Sequence, residues 1–292
     1  MTMKFWQSLA FVELDQIVEL AQFCEELGFH GVSVADHLVT TQKQIDQYLY
    51  TQDGNILWNP DTHWPDPWAV ISAMAQATST LEFLTTIYIV PMRDPISVAK
   101  SISCAAFLSN NRVTLGAGVG WQKAEFEMVS QDFHTRGKRT DEQLEILRGL
   151  MSGNTFEYHG DFYDFEPVKM SPGTTQPVPI LVGGYAPAAM RRAAQHDGWM
   201  AINHTEDELM PLLQQLQATR AETGDDKHPF DIWSGIRNPD SGTHERLAQA
   251  GVTMVNGTNF FDDQGKATPS SIDEKKRRME AFANKFLIQE HS

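Results

Sequence analysis

The chain has 292 residues, 41% of them hydrophobic, with 20 glycines and 14 prolines, so it can bury a full core and is too apolar for a disordered tail. Its 23 basic and 38 acidic side chains sum to −15, a charge that repels nucleic acid and anionic lipid unless a local basic patch overrides it, and none is visible. Cys24 and Cys104 both fall in apolar helical patterns, and neither a membrane-length apolar run nor a leader-like segment is seen, so the expectation is a reduced cytoplasmic protein.

Residues 5 to 11 predict a strand, after which Leu14, Ile17, Val18, Ala21 and Cys24 recur at helical spacing up to Gly28, a helix stop. A short strand over 31 to 35 ends at Asp36 and His37. About 30 mixed residues rich in Trp, Pro and Tyr precede a helix starting near Pro67, a connection long for a strand-to-helix loop. The alternation continues with a strand over 82 to 90, a helix over 95 to 109, a strand over 112 to 119, an amphipathic stretch from Trp121, and a helix over 141 to 151. Residues 155 to 169 alternate aromatics around His159 and Gly160 and predict a hairpin excursion before a strand over 180 to 183 and a helix over 187 to 196. Strands over 198 to 202, 230 to 235 and 252 to 256 follow. Behind them come a helix with Leu209, Leu212, Leu213 and Leu216 on one face, a short helix over 244 to 250, and a last helix over 272 to 288.

Eight short apolar strands alternating with eight helices predict an α/β protein, a single (β/α)8 TIM-barrel domain over residues 1 to 292, with a long loop after strand two and a small hairpin before strand five. A doubly wound open sheet would use the same alternation, but no mid-chain linker divides two such halves. In a barrel the chemistry lies where strands hand over to their following loops.

Those ends present Gln7 and Ser8 with Phe11, then Asp36 and His37, then Thr85, Thr86 and Tyr88. The later strands end at Gly118, Gly120 and Trp121, at Gly183, Gly184 and Tyr185, at Asn203 and His204, at Ser234 and Gly235, and at Asn256, Gly257 and Thr258. The run GAGVGW does not fit a dinucleotide fingerprint, because Trp121 stands where the third glycine belongs. Its glycines and the pair at 183 and 184 either permit tight turns or bring bare backbone N–H groups to the mouth, next to the helix at Pro187, where a phosphate could be held without lysine.

His37 is the ionisable residue of most interest, since imidazole exchanges protons near neutral pH; the plain alternative is that Asp36 and His37 only hydrogen-bond their loop. The other histidines show no metal-ligand spacing, and no metal is expected. No nucleophile elbow occurs, and Cys104 has no histidine that the sequence assigns to it. Trp58, Trp64, Trp68, Tyr48, Tyr50 and Trp121 could line an apolar pocket for a planar cofactor and substrate, or could simply be packing. The KKRR run at 275 to 278 reads as the solvated face of the last helix.

The segments GVSVADH, LEFLTTIYIVPMRDPISVAK, NRVTLGAGVGW, FHTRGKRTDEQLEILRGLM, FYDFEPV and PVPILVGG occur in that order. Together they resemble the bacterial luciferase-like superfamily, and most closely its F420-dependent oxidoreductase branch, from about residue 5 to residue 224. The resemblance implies a TIM barrel binding F420 or FMN in its mouth. Asp36 and His37 match the family's Asp-His motif, whose histidine sits by the redox ring in several relatives. A non-prolyl cis peptide behind the ring would here join Thr86 to Ile87, and the phosphate region would map to Gly118, Val119 and Gly120 and to Gly183 and Gly184. Trp121 departs from the acidic residue of the F420-dependent sugar-phosphate dehydrogenases, which argues against glucose 6-phosphate as substrate. Phe11, Trp58, Trp64 and Trp121 are the expected substrate pocket.

The expected chemistry is hydride transfer between F420 and a small organic substrate, with an FMNH2-dependent monooxygenase using dioxygen and a non-catalytic ligand-binding barrel as the alternatives. The partners implied are a small-molecule substrate, a second copy of the chain in a homodimer, and a separate reductase supplying reduced cofactor. A barrel aldolase or isomerase would want a lysine at a strand end, and none is evident.

Overall fold

Short strands that are apolar on both faces need cover outside and filler inside, and this chain supplies a helix after nearly every strand for the first purpose. The computed structural model describes residues 3–42, 48, 54–223, 229–262 and 265–287. The first half runs β1 (Lys4–Ser8), α1 (Ile17–Leu27), β2 (Gly31–Val34), α2 (Pro67–Ala77), β3 (Glu82–Thr85), β4 (Tyr88–Ile89), α3 (Pro95–Ser109) and β5 (Val113–Gly118). Next come α4 (Lys123–Met128), α5 (Arg136–Met151), the hairpin β6 (Thr155–His159) and β7 (Asp164–Lys169), β8 (Ile180–Gly183) and α6 (Pro187–Ala194). The chain closes with β9 (Gly198–His204), α7 (Glu206–Thr223), β10 (Asp231–Ile236), α8 (Thr243–Gln249), β11 (Met254–Asn256) and α9 (Ile272–Phe286).

Among the described residues the strands of the main sheet pair in parallel throughout, and β1 joins both β2 and β11, so the sheet closes on itself. β3 and β4 form one stave in two pieces, both paired to β5, which makes eight staves: a closed (β/α)8 barrel with a hairpin excursion before the fifth. The strand predicted over 82 to 90 breaks at the cis Thr86–Ile87 peptide. The Thr85 hydroxyl bridges the break, accepting from the Gly116 amide at 2.9 Å and donating to the Gly116 carbonyl at 3.0 Å.

Inside the barrel, Trp6, Leu84, Leu181, Met200, Trp233 and Met254 pack as one buried cluster. Side chains alternate along a strand, so the next inward positions toward the carboxyl ends are two residues on: Ser8 beyond Trp6, Gly183 beyond Leu181, Ile202 beyond Met200, Gly235 beyond Trp233. The middle of the barrel is filled by large residues, and its upper rim is lined mostly by small ones. The outward face, with Val32, Phe83, Leu115, Val182, Trp199 and Val255, belongs to the larger core under the helices.

Three details depart from the reading of the sequence. Leu14 lies before α1 and is exposed, the helix starting at Ile17. α5 begins at Arg136 rather than 141, since its first turn is charged and carries no apolar period; Arg139 is nevertheless buried there, bonded to Gln131, Thr135 and the Asp132 carbonyl. In the KKRR run, Lys275 is not solvated. Its side chain is 2% exposed, with Nζ 2.6 Å from Glu13 Oε2 and 3.0 Å from Gln16 Oε1, fastening α9 to the start of α1. Among the described residues no helix is long and apolar enough to cross a membrane.

Burial pushes His30, edge-on to Trp6, and His196, beside Arg148, down to about 4. Unfolding lets both take up protons between about pH 6.5 and that value, so stability should fall as pH drops through this window, by at most about 1.4 kcal/mol per pH unit for each histidine. Urea denaturation from pH 7 to 4.5 checks this: His196→Gln should flatten the curve, and an unchanged slope would contradict the assignment.

Candidate active site

Because the staves are parallel, the carboxyl ends of all eight lie on one face. That face gathers Asp36 and His37 after β2, the Thr86–Ile87 peptide between β3 and β4, Gly118 to Trp121 at the end of β5, and Gly183 and Gly184 at the end of β8.

Asp36 is buried, and both of its oxygens are engaged. Oδ2 accepts from the Ile89 amide at 2.9 Å and from Arg93 Nη1 at 2.8 Å, and Oδ1 accepts from Arg93 Nη2 at 2.8 Å, a two-pronged carboxylate–guanidinium pair. Arg93 also lies over the Tyr88 ring, 4.5 Å from its centroid. Burial acts to lower the Arg93 pKa, but the Asp36 hydrogen bonds and charge outweigh it and leave the guanidinium above its ordinary value; burial likewise pushes the Tyr88 hydroxyl up. This group ties the end of β2 to the end of β4, and the Thr86 amide adds a bond to the Val34 carbonyl at 2.7 Å.

His37 turns to a different partner. Its Nδ1 lies 3.0 Å from Oε2 of Glu125 on α4, the two side chains being 12% and 2% exposed. The other oxygen of Glu125 accepts from the Leu38 amide at 2.9 Å and the Val39 amide at 3.4 Å. Around the imidazole stand Trp64, Trp58 and Trp121, with ring centroids at 4.7, 5.6 and 6.3 Å. Phe11, with φ at 66°, stacks on Trp58 at 5.7 Å and meets Trp64 edge-on at 5.2 Å. The four residues expected to form a substrate pocket are thus one aromatic wall beside His37. Tyr48 joins it, 5.1 Å from Trp58 and 5.5 Å from Trp121; Trp68 packs instead against Tyr88, and Tyr50 lies outside the described residues. The connection carrying Trp58 is fastened to the segment after β11, where Lys266 Nζ donates to the Ile56 carbonyl at 3.0 Å and the Ala267 amide to the Leu57 carbonyl at 2.6 Å.

The glycines make room as well as turns. A Cβ on Gly118 would stand 2.6 Å from Cγ2 of Ile87, and one on Gly183 would strike the end of the same side chain. Gly120 and Gly184 have φ of 78° and 120°, open to glycine and strained for other residues. Their carbonyls turn into the protein, toward Arg136 Nε at 2.9 Å and Trp199 Nε1 at 2.8 Å. α6 starts three residues beyond Gly184, at Pro187, with no side-chain cap on its N-terminus. Farther round the rim, a cleft of about 380 Å3 opens at the ends of β9 and β10, where Arg246 pairs with Glu206 and Asp240. Next to it His204 meets the Tyr185 ring edge-on, and burial lowers its pKa. Among the described residues, no group of three His, Cys, Asp or Glu could hold a metal.

Two of the residues that build this site, Glu125 and Arg93, were not legible in the sequence. They reach His37 and Asp36 across 88 and 57 positions, and the amphipathic stretch after Trp121 marks a helix without marking a partner.

Comparison with known proteins follows the geometry. Residues 6–238 match the model of the luciferase-like monooxygenase family. A Mycobacterium tuberculosis protein of uncharacterised function is 35% identical over 291 residues, 98% of this chain and 100% of that one. An FMNH2-dependent dimethylsulfone monooxygenase of Pseudomonas fluorescens is 28% identical over 163 residues, 55% of this chain and 44% of that enzyme. The coenzyme F420-dependent tetrahydromethanopterin reductase of Methanopyrus kandleri superposes with a TM-score of 0.74 at 14% identity, covering 99% of both chains, a likeness of fold.

The buried Asp36–Arg93 pair generates a stability test. Arg93→Ala strands a buried carboxylate and should cost about 3–5 kcal/mol in urea denaturation, whereas Asp36→Asn, which keeps an acceptor for the Ile89 amide, should cost less. Equal losses would mean that the charge contributes nothing.

Proposed function

The chain belongs to the luciferase-like monooxygenase family, and on that premise we propose that it is a redox enzyme working with F420 or FMN, its first reading being F420-dependent hydride transfer to or from a small organic substrate. One observation carries the proposal: His37 and the two glycine turns share one mouth of one barrel.

The residues present fit such a group. The rim above the Trp6, Met200 and Trp233 filler carries the small residues Ser8, Gly118, Gly183 and Gly235 together with Ile87 and Ile202, so backbone is exposed on part of it, where a flat ring could approach closely. In this reading Thr86, Ile87, Gly118, Val119, Gly120, Gly183 and Gly184 hold the cofactor. Asp36 stands behind them and fixes the two staves through Arg93 and the Ile89 amide. α6 has no side-chain cap; Pro187 carries no N–H and the Ala189 and Met190 amides donate to the Ala186 carbonyl, so what this terminus offers an anionic tail is the positive end of a helix. When bound, F420 supplies a hydride, and reduced FMN supplies a hydride or the activation of dioxygen.

The chain's own residues do the rest. His37 holds or moves a proton at the substrate, and Phe11, Trp58, Trp64 and Trp121 bind its apolar part and exclude water. The second reading, an FMNH2-dependent monooxygenase served by a separate reductase, is supported by the Pseudomonas fluorescens relative. In either reading we expect a homodimer.

Fluorescence titration with reduced F420 and with FMNH2 tests the proposal, and tight binding of one is expected; failure of both overturns it. His37→Ala should lower turnover at least about tenfold with cofactor affinity retained. Unchanged turnover would remove His37 from the chemistry, and binding with no turnover on any donor or acceptor would leave a ligand-binding barrel.

A further inference from the structure

We propose that Glu125 is a positioning residue that fixes the tautomer of His37, keeping the proton on Nδ1 so that Nε2 is the ring nitrogen able to take one. The catalytic consequence rests on the role proposed above for His37; the tautomer itself does not.

The argument begins with burial. A carboxylate that is 2% exposed must have its oxygens satisfied, because an unpaired buried charge costs several kcal/mol. Among the described residues Glu125 has three partners, the Leu38 and Val39 amides on Oε1 and the His37 ring on Oε2, and no Lys or Arg pairs with it. Its near neighbour Lys123 is engaged with Glu127 instead. His37 is therefore the one ionisable group facing this carboxylate. With Glu125 as the acceptor, as it is toward the Leu38 and Val39 amides, the 3.0 Å contact places the hydrogen on Nδ1. In the neutral ring that leaves Nε2 with its lone pair.

The two amide bonds make the arrangement rigid. They belong to the residues directly after His37, so one carboxylate holds both the imidazole and the backbone that carries it. Rotation of the ring about its Cβ–Cγ bond would put Cδ2 in the place of Nδ1 and break the Oε2 contact without releasing the Oε1 bonds. A second-sphere carboxylate of this kind orients an imidazole and selects its tautomer in the general pattern of hydrogen-bonded histidines.

Glu125→Gln separates positioning from mere structure. The amide has nearly the same shape and keeps one carbonyl oxygen for the Leu38 and Val39 amides, but what it turns toward Nδ1 is an NH2 donor. The ring must then present its lone pair at Nδ1 and carry its hydrogen on Nε2. The measurement is a long-range 1H–15N correlation spectrum of the cofactor-free full chain labelled at histidine, recorded on the alkaline side where the ring is neutral, with His37→Gln to assign the signals. The expected result is Nδ1–H in the wild type and inversion, or a mixture of tautomers, in Glu125→Gln. With whichever cofactor binds, Glu125→Gln should lower kcat at least about tenfold while KM and cofactor Kd change less than about twofold.

A wild-type ring protonated at Nε2 overturns the inference whatever the variant does, and so does a Glu125→Gln protein that keeps the Nδ1–H tautomer. Because the wild-type spectrum needs neither a folded variant nor a bound cofactor, the test survives an unstable mutant. Inversion of the tautomer with turnover unchanged in both Glu125→Gln and His37→Ala would uphold the assignment and discard the role of His37 in the reaction.

Discussion

A closed barrel of eight parallel staves has an interior that must be filled, and everything at this mouth depends on where the filling stops. Two tryptophans and two methionines occupy the middle, with Leu84 and Leu181 between them. Their bulk is sufficient to exclude water there at native packing density. One layer higher the inward positions shrink to Ser8, Gly118, Gly183 and Gly235, and Ile87, at the cis peptide, fills the gap that Gly118 and Gly183 leave. Replacing those glycines would not just fill a void. It would drive Ile87 out of place, and with it the joint between β3 and β4.

Two consecutive residues at the end of β2 divide the remaining work. Asp36 turns toward the neighbouring stave and is gripped by Arg93 and the Ile89 amide; His37 turns toward α4 and is gripped by Glu125. Each contact is charge-assisted and buried, where such bonds are strong and their loss is costly. The short stretch from 36 to 39 is consequently held from two sides. Rigidity at this point comes from side chains, because the ladder of β2 ends at Val34.

The parts of this fold that were legible in the sequence are those with a short period. Alternating strands and helices, the proline-started helices at 67, 95 and 187, and the hairpin of alternating aromatics are all local, and they gave the barrel and its strand ends. His37 and the glycine turns could be singled out because a barrel puts its chemistry at strand ends. What was not legible depends on pairing across distance. Nothing in the run KAEFEM says that its first Glu rather than its second is buried under a histidine 88 positions earlier. Nothing in KKRR says that the first of its two lysines is drawn under the chain to meet Glu13. In both cases an ionisable residue sits on the buried side of a helix because a partner from elsewhere offsets its desolvation, and composition carries no trace of that partner.

The same distance argument bears on how the two halves of the mouth are built. The glycine turns and Ile87 come from adjacent staves, β4, β5 and β8, whose positions follow from the sheet itself. The aromatic wall is assembled from separate connections: Phe11 after β1, Trp58 and Trp64 after β2, Trp121 after β5, with Phe261 after β11 packed at 5.8 Å from Phe11. Bonds from the Lys266 side chain and the Ala267 amide to the Ile56 and Leu57 carbonyls then join the chain's last connection to its longest. A substitution in the staves therefore disturbs the whole barrel, while one in the connections reshapes the wall and leaves the staves in place. The first half is therefore bound to the fold, whereas the second is built from connections, the part of a barrel that varies without refolding it.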